Sequence, residues 1–149
     1  MSNHLENAIS NLKENLLTLM ELTEQTLDLS IQSIKENDPI KAQMVITNDD
    51  QIDKMEVDIE ESCLNILALY QPVAKDLRYI VTVLKVNNDI EKIADLAVSI
   101  SSSAYTISKM SYSIPPYTFD QLTKVTKKMI KEAIDSLVNK DIKLAKLVC

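Results

Sequence analysis

Glycine is the first absence in this sequence of 149 residues, which contains none. Average usage of about 7% would give roughly ten glycines in a chain of this length. Phosphate-binding loops, dinucleotide-binding fingerprints and nucleophile elbows all need glycine where the backbone turns tightly or closely approaches a ligand. The sequence therefore excludes the protein classes that are built on those motifs.

Aromatic residues and long apolar runs are also scarce. Aromatics make up 4% of the chain, and no apolar stretch approaches the roughly 20 residues that a membrane-spanning helix needs. Because hairpin-rich β folds depend on glycine turns and aromatic strands, an all-α fold follows by elimination. The two cysteines, Cys63 and Cys149, form no CxxC pair, and the N-terminus has no secretory signal pattern. We expect a cytoplasmic protein without an integral membrane segment and without a nucleic-acid partner.

Apolar residues recur at helical spacing through most of the chain. The first apolar stripe runs from Leu5 to Ile34. Asp38 followed by Pro39 is typical of a helix start, and Pro72 ends the second helix. A third stripe fades around residues 101–103 or a little beyond, and it contains Leu77, Ile80, Leu84, Ile93, Ala97 and Ile100. The pattern predicts an antiparallel three-helix bundle over residues 1–109.

A linker and a helical arm follow the predicted bundle. The linker, residues 110–117, contains two adjacent prolines among serines and tyrosines. The arm, residues 118–149, is predicted to contain an amphipathic helix and the start of another. The net charge is -9 over residues 1–117 and +3 over residues 118–149. The two parts therefore differ in electrostatic character.

The arm also resembles the beginning of the chain. Shifting it back by 103 positions aligns Leu122 with Leu19 and Asp141 with Asp38. We interpret the arm as an incomplete second repeat, which reaches Cys149 before a second acidic motif would begin. We therefore expect no second site in this chain.

The arm's apolar stripe predicts an interface. It would expose several large side chains if it stood alone, so we expect a homo-oligomer, with folding back onto the arm's own bundle as the alternative. The stripe consists of Leu122, Val125, Met129, Ile130, Ile134 and Leu137. A basic stripe beside it consists of Lys124, Lys127, Lys128 and Lys131. We expect it to be a solvated face, and peripheral contact with anionic lipid headgroups or with an acidic partner is the alternative.

Two acidic clusters are the candidate functional residues. Asp49 and Asp53 fall on one face of the second helix, together with Glu56. Glu91 and Asp95 continue the line of apolar residues on the third helix. Carboxylates four residues apart on neighbouring helices can together bind magnesium, manganese, iron or zinc. A solvated acidic face is the alternative. Asp50 is a secondary candidate, as is Glu56.

The residues around these clusters resemble the PhoU family of phosphate-uptake regulators. The resemblance rests on an acidic segment over residues 48–56, on the block Gln71-Pro72-Val73-Ala74-Lys75-Asp76-Leu77-Arg78, and on a second acidic block over residues 89–97. It implies a duplicated three-helix bundle whose E(D)xxxD motifs bind metal ions, often as iron or zinc clusters. In this sequence the motifs fall at Asp49 with Asp53 and at Glu91 with Asp95.

The resemblance also implies a function without catalysis. A family member would act as a regulatory adaptor between the ATPase subunit of a phosphate ABC transporter and a sensor histidine kinase, restraining the phosphate-starvation response. A metal-free structural module is the alternative, and a carboxylate-bridged metal oxidoreductase is the less favoured one, because the single histidine, His4, cannot supply the usual Glu-x-x-His motifs. One departure from the family is Ala94, where its members usually have glycine.

Two further residues have simpler interpretations. Arg78, the only arginine, is predicted to form an ion pair with the nearby Asp76 rather than to bind phosphate, since one cation without supporting donors makes a weak anion site. Cys63 is predicted to be a small buried apolar residue, because no histidine or cation cluster accompanies it.

Overall fold

Helices account for nearly all the regular structure of this chain. The computed structural model describes residues 2–110 and 119–149. Within these ranges it contains no strand and five helices, which are α1 (Ser2–Lys35), α2 (Pro39–Tyr70), α3 (Ala74–Ser108), α4 (Asp120–Val138) and α5 (Ile142–Val148). The all-α prediction is confirmed, and α3 continues past residues 101–103. Apart from Met110, the predicted linker lies outside the described residues.

The breaks between α1, α2 and α3 follow from local chemistry. One carboxylate oxygen of Asp38 accepts hydrogen bonds from the backbone N–H groups of residues 40 and 41, at 2.9 and 3.2 Å, and Pro39 begins α2 with no N–H to satisfy. Gln71 ends α2 in a left-handed conformation with φ of 45°, the position where glycine is usual. In a chain without glycine, these turns use other residues.

The hydrophobic core lies between α1, α2 and α3, which all pack against one another. Its fully buried side chains come from all three helices and include Leu12, Leu16, Leu19, Ile52, Ile59, Ile80 and Ile90. Toward the C-terminal end of α1 the buried residues become polar. The hydroxyls of Thr23, Ser30 and Ser33 each donate to a carbonyl three or four residues earlier in α1, so their burial leaves no donor unsatisfied.

The core line of α3 agrees only in part with the predicted one. Leu77 is 40% exposed, and Val81, one turn further along the same face, is 39% exposed, so this face runs along the edge of the core. Ile80 and Ala97 of the predicted stripe are buried, and the rest of the buried line consists of Val83, Asn87, Ile90, Ala94, Ser101 and Ala104. The methyl group of Ala94, where the PhoU family usually has glycine, is therefore packed in the core.

The turn between α4 and α5 has the same local structure as the turn between α1 and α2. Residues 37 and 140 both adopt left-handed conformations, with φ of 51° and 54°. Both following helices begin at an aspartate whose carboxylate caps the first turn. Equivalent backbone hydrogen bonds, 103 positions apart, join Asp38 N to Ser33 O and Asp141 N to Ser136 O. The two turns thus share one local structure at an offset of 103 positions, which is the offset of the repeat predicted from the sequence.

The arm folds back onto its own bundle, which was the alternative prediction. α4 packs against α1, with Ile134 only 4% exposed and part of the core. Lys127 pairs with Asp28 at 2.6 Å, and Asp120 pairs with Lys35, so α4 runs antiparallel to α1. The basic stripe is therefore not wholly solvated. Part of the predicted interface remains exposed, namely Leu122, Val125 and Met129.

Candidate metal centre

Asn87 lies at the contact between α2 and α3. It is 1% exposed and occupies a core position of α3. Its side-chain Nδ2 donates to the backbone oxygen of Glu56 at 2.9 Å and to Oε1 of the same residue at 3.2 Å. A buried amide that meets two acceptors at one point favours a single alignment of the two helices.

This alignment brings the predicted metal ligands together in pairs. Because α2 and α3 are antiparallel, one turn beyond the Asn87 contact brings Asp53 toward Glu91, and a second turn brings Asp49 toward Asp95. The electrostatic couplings agree, since Glu91 senses the charge of Asp53 and Asp49 senses the charge of Asp95. All four residues thus lie along the contact between α2 and α3, and we call this set of carboxylates the acidic groove.

Asp49 is a partly buried member of this groove. Its carboxylate oxygen Oδ1 is buried and has no hydrogen-bond partner among the described residues. Burial raises the pKa of Asp49, and the charges of Asp53, Asp95 and Asp50 raise it further. A buried oxygen without a donor is costly, and a cation would satisfy it.

Glu91, on α3, is also a carboxylate whose neighbours carry the same charge. Burial is the main cause of its raised pKa, followed by the charges of Asp95, Glu56 and Asp53, while Lys92 partly offsets them. The lysine is itself engaged with Asp89 on the outside of the helix. The groove therefore contains more negative charge than its neighbours neutralise.

The donor set consists of oxygen atoms, which suits hard cations such as magnesium, manganese or iron. The residues fit a cation in their chemistry and in the unpartnered oxygen of Asp49. In the part of the chain that the structure describes, however, no three acidic, histidine or cysteine side chains already converge on one point. Side-chain rotation within the groove is needed before three of them can chelate one ion.

Asn87 was not among the residues predicted from the sequence, although the apolar pattern of α3 contains a signal for it. An asparagine interrupts an apolar line at the spacing i, i+4, i+7 from Val83 to Ile90. A polar residue at such a position needs a partner when it is buried. Of the secondary candidates, Glu56 is that partner, whereas Asp50 is exposed and reaches the groove only through its effect on the pKa of Asp49.

Residues of possible catalytic importance are placed as follows. Cys63 is fully buried, and burial followed by the charge of Glu60 raises the pKa of its thiol to about 11, which confirms its interpretation as a core residue. His4 is exposed near the start of α1. The predicted ion pair between Arg78 and Asp76 is wrong, because Arg78 is exposed and pairs with no described carboxylate.

The fold and the acidic groove together define an antiparallel helical bundle with carboxylates along the contact between two of its helices. The PhoU domain model matches residues 16–104. The crystal structure of PhoU from Pseudomonas aeruginosa superimposes with a TM-score of 0.88 and 31% identity, over 95% of this chain and 68% of that one. The chain belongs to the PhoU family.

Curated relatives agree with this assignment. The phosphate-specific transport system accessory protein PhoU homolog of Aquifex aeolicus is 32% identical over 136 residues, and PhoU homolog 1 of Thermotoga maritima is 32% identical over 144 residues. These matches cover 91% and 95% of this chain but 62% of each relative. The chain thus spans less than two thirds of their length. No described helix is both long and apolar enough to cross a bilayer.

Proposed function

We propose that this chain is a metal-binding regulatory adaptor of phosphate uptake that acts by binding its partners and not by catalytic turnover. Its membership of the PhoU family supports the link to phosphate transport, because the relatives are named as accessory proteins of the phosphate-specific transport system. The observation that carries the metal-binding part is the acidic groove, where like-charged and partly buried side chains lack neutralising partners.

The groove would hold the ion through residues of both helices. Asp49 and Asp53 would contribute from α2, and Glu91 and Asp95 from α3. A divalent or trivalent cation supplies positive charge that cancels their mutual repulsion and ties the two helices together. The oxygen donors are compatible with magnesium or manganese as well as with the iron or zinc that the family resemblance implies. Asn87 would keep Glu56 fixed one turn away.

Metal analysis of a double variant tests this assignment. In Glu91→Gln/Asp95→Asn the α3 donors lose their charge but nearly keep their shape, and we expect bound iron, zinc or manganese to be lost. The matched control is Asp76→Asn/Asp89→Asn, which makes the same change in charge elsewhere on α3. The measurement is metal content after purification without chelator. Full metal retention in the groove variant would contradict the proposal.

The adaptor role concerns two partners. We propose contacts with the ATPase subunit of a phosphate ABC transporter and with the cytoplasmic region of a sensor histidine kinase, in the cytoplasm, where the protein restrains the phosphate-starvation response. Pull-down of each partner by the metal-loaded and the chelator-treated protein is the direct test. Binding of either partner supports the adaptor role, and failure to bind both would contradict it.

A metal-free helical interaction module is the second candidate. It is favoured by the absence of a preformed three-ligand cluster among the described residues. Metal content separates the two candidates, since partner binding that is unchanged by chelation, in a protein without bound metal, would support this alternative.

We also propose that the arm mediates homo-oligomerisation with a second copy of the chain. Several large apolar side chains of α4 and α5 are more than 45% exposed although α4 is docked on α1, namely Leu122, Val125, Met129, Ile142 and Leu147. Sedimentation equilibrium of the full chain and of Leu122→Ser/Met129→Ser tests this. A monomer at high micromolar concentration in both proteins would contradict it.

A further inference from the structure

A second cleft lies where the beginning of α3 meets the turn between α4 and α5. It has a volume of about 490 Å³ and is distinct from the acidic groove. Three cationic side chains line it, Lys75 and Arg78 from the first turns of α3 and Lys140 from the turn after α4. The fold therefore brings together cations that are more than sixty positions apart in the sequence.

The charge of this cleft is opposite to that of the whole chain, which carries a net charge of -6. Neither Arg78 nor the two lysines forms an ion pair with a described residue. The one carboxylate that lines the cleft belongs to Asp141, and its Oδ1 already accepts two backbone N–H groups at the start of α5, at 2.9 and 3.0 Å. The positive charge is thus left available to a ligand.

Tyr79 provides the second, independent observation. It lines the same cleft and is 6% exposed, and its hydroxyl is buried without a hydrogen-bond partner among the described residues. Burial, followed by the charge of Cys63, raises the pKa of Tyr79 to about 12, so the hydroxyl keeps its proton at neutral pH. The ammonium of Lys140 lies 5.2 Å from the centre of the tyrosine ring and that of Lys13 lies 5.6 Å away. Two ammonium groups thus lie over the ring of a tyrosine whose buried O–H has no acceptor among the described residues.

We propose that this cleft binds the phosphoryl group of a small molecule. A guanidinium can donate two parallel hydrogen bonds to a phosphoryl group, lysines add charge, and the tyrosine O–H adds a neutral donor. Lys140 is exposed and long, so its ammonium can move from the tyrosine ring toward the anion. Apolar side chains, including Leu137 and Ile142, line the rest of the cleft and can contact an organic group attached to the phosphate. This proposal does not depend on the metal site.

Calorimetric titration of the full chain with inorganic phosphate and with ADP, in buffer of constant ionic strength, distinguishes the two sources of such a group. If inorganic phosphate binds saturably and at least as tightly as ADP, the ligand is the free anion. If ADP binds and inorganic phosphate does not, the ligand is a nucleotide. Sulfate is the control for simple charge. Absence of binding by both phosphoryl compounds, or equal binding of sulfate, would overturn the proposal.

Three variants locate the site. Arg78→Gln is expected to weaken binding about tenfold or more, because charge-assisted hydrogen bonds to a phosphoryl group are lost. Lys146→Gln makes the same change in charge on α5 outside the cleft and should have little effect. Tyr79→Phe keeps the ring and is expected to weaken binding about tenfold without lowering the unfolding midpoint, since it removes a hydroxyl with no protein partner. Unchanged affinity in both Arg78→Gln and Tyr79→Phe would place any binding elsewhere and overturn the proposal.

Discussion

The acidic groove predicts that Asp49→Asn changes stability in opposite directions with and without metal. In chelator at neutral pH, the substitution removes a partly buried charge that is repelled by Asp53, Asp95 and Asp50. Like charges one helical turn apart, as in Asp49 and Asp53, cost about 0.2–0.5 kcal/mol. Together with the relief of partial burial and of the weaker repulsion from Asp95 and Asp50, we expect a stabilisation of about 1 kcal/mol. Asp49→Asn also removes a metal ligand. Added metal should therefore raise the free energy of unfolding less in this variant than in the unsubstituted protein.

The pH dependence fixes the sign of this effect. The pKa of Asp49 is raised in the folded protein, so ionisation of this group favours the unfolded state as pH rises through the folded-state pKa. The advantage of asparagine should therefore be full at neutral pH. It should disappear as pH falls through the raised pKa to below the ordinary value for aspartate, about 3.9, because the carboxyl is then protonated in both states.

Urea unfolding followed by circular dichroism measures the difference in unfolding free energy between the two proteins, at neutral pH and at a pH below about 3.9. Asp58→Asn is the matched control, because Asp58 is an exposed aspartate on α2. A destabilised Asp49→Asn protein in chelator at neutral pH would refute the reasoning, since it would mean that the carboxylate is held by favourable contacts and not by repulsion.

Three further predictions follow from the fold. Gln71 has φ of 45°, so Gln71→Gly should raise the free energy of unfolding by about 1 kcal/mol in urea titration, whereas glycine in the exposed middle of α2 should lower it. Ile134→Ala should weaken docking of α4 by about 2–4 kcal/mol, which amide hydrogen exchange in α4 would show as faster exchange. The same change at exposed Leu122 should leave the exchange rate unaltered. Unchanged exchange in Ile134→Ala would contradict the docking. Cys149 should react with a thiol reagent in the native protein at neutral pH, whereas Cys63, buried and with a pKa of about 11, should react only after unfolding.

At the candidate site, residue spacing predicted only part of the arrangement. The spacing of Asp49 and Asp53, and of Glu91 and Asp95, placed each pair on one face of its helix, because residues four apart share a face whatever surrounds them. That the two pairs share one groove depended on the alignment of α2 with α3. The alignment includes the buried contact between Asn87 and Glu56, which lie 31 positions apart.

The same distinction runs through the rest of the molecule. Helix ends at Asp38 and Gln71, the all-α class and the repeated turn were determined by the sequence itself, because capping, proline and periodicity act between neighbouring residues. Tertiary packing decided which apolar line of α3 is buried, since two adjacent lines are both apolar and only the partner helices select one. Tertiary packing also decided the docking of α4 on α1. Because Lys140 follows α4, this docking brings Lys140 into the same cleft as Arg78, which lies more than sixty positions earlier in the sequence.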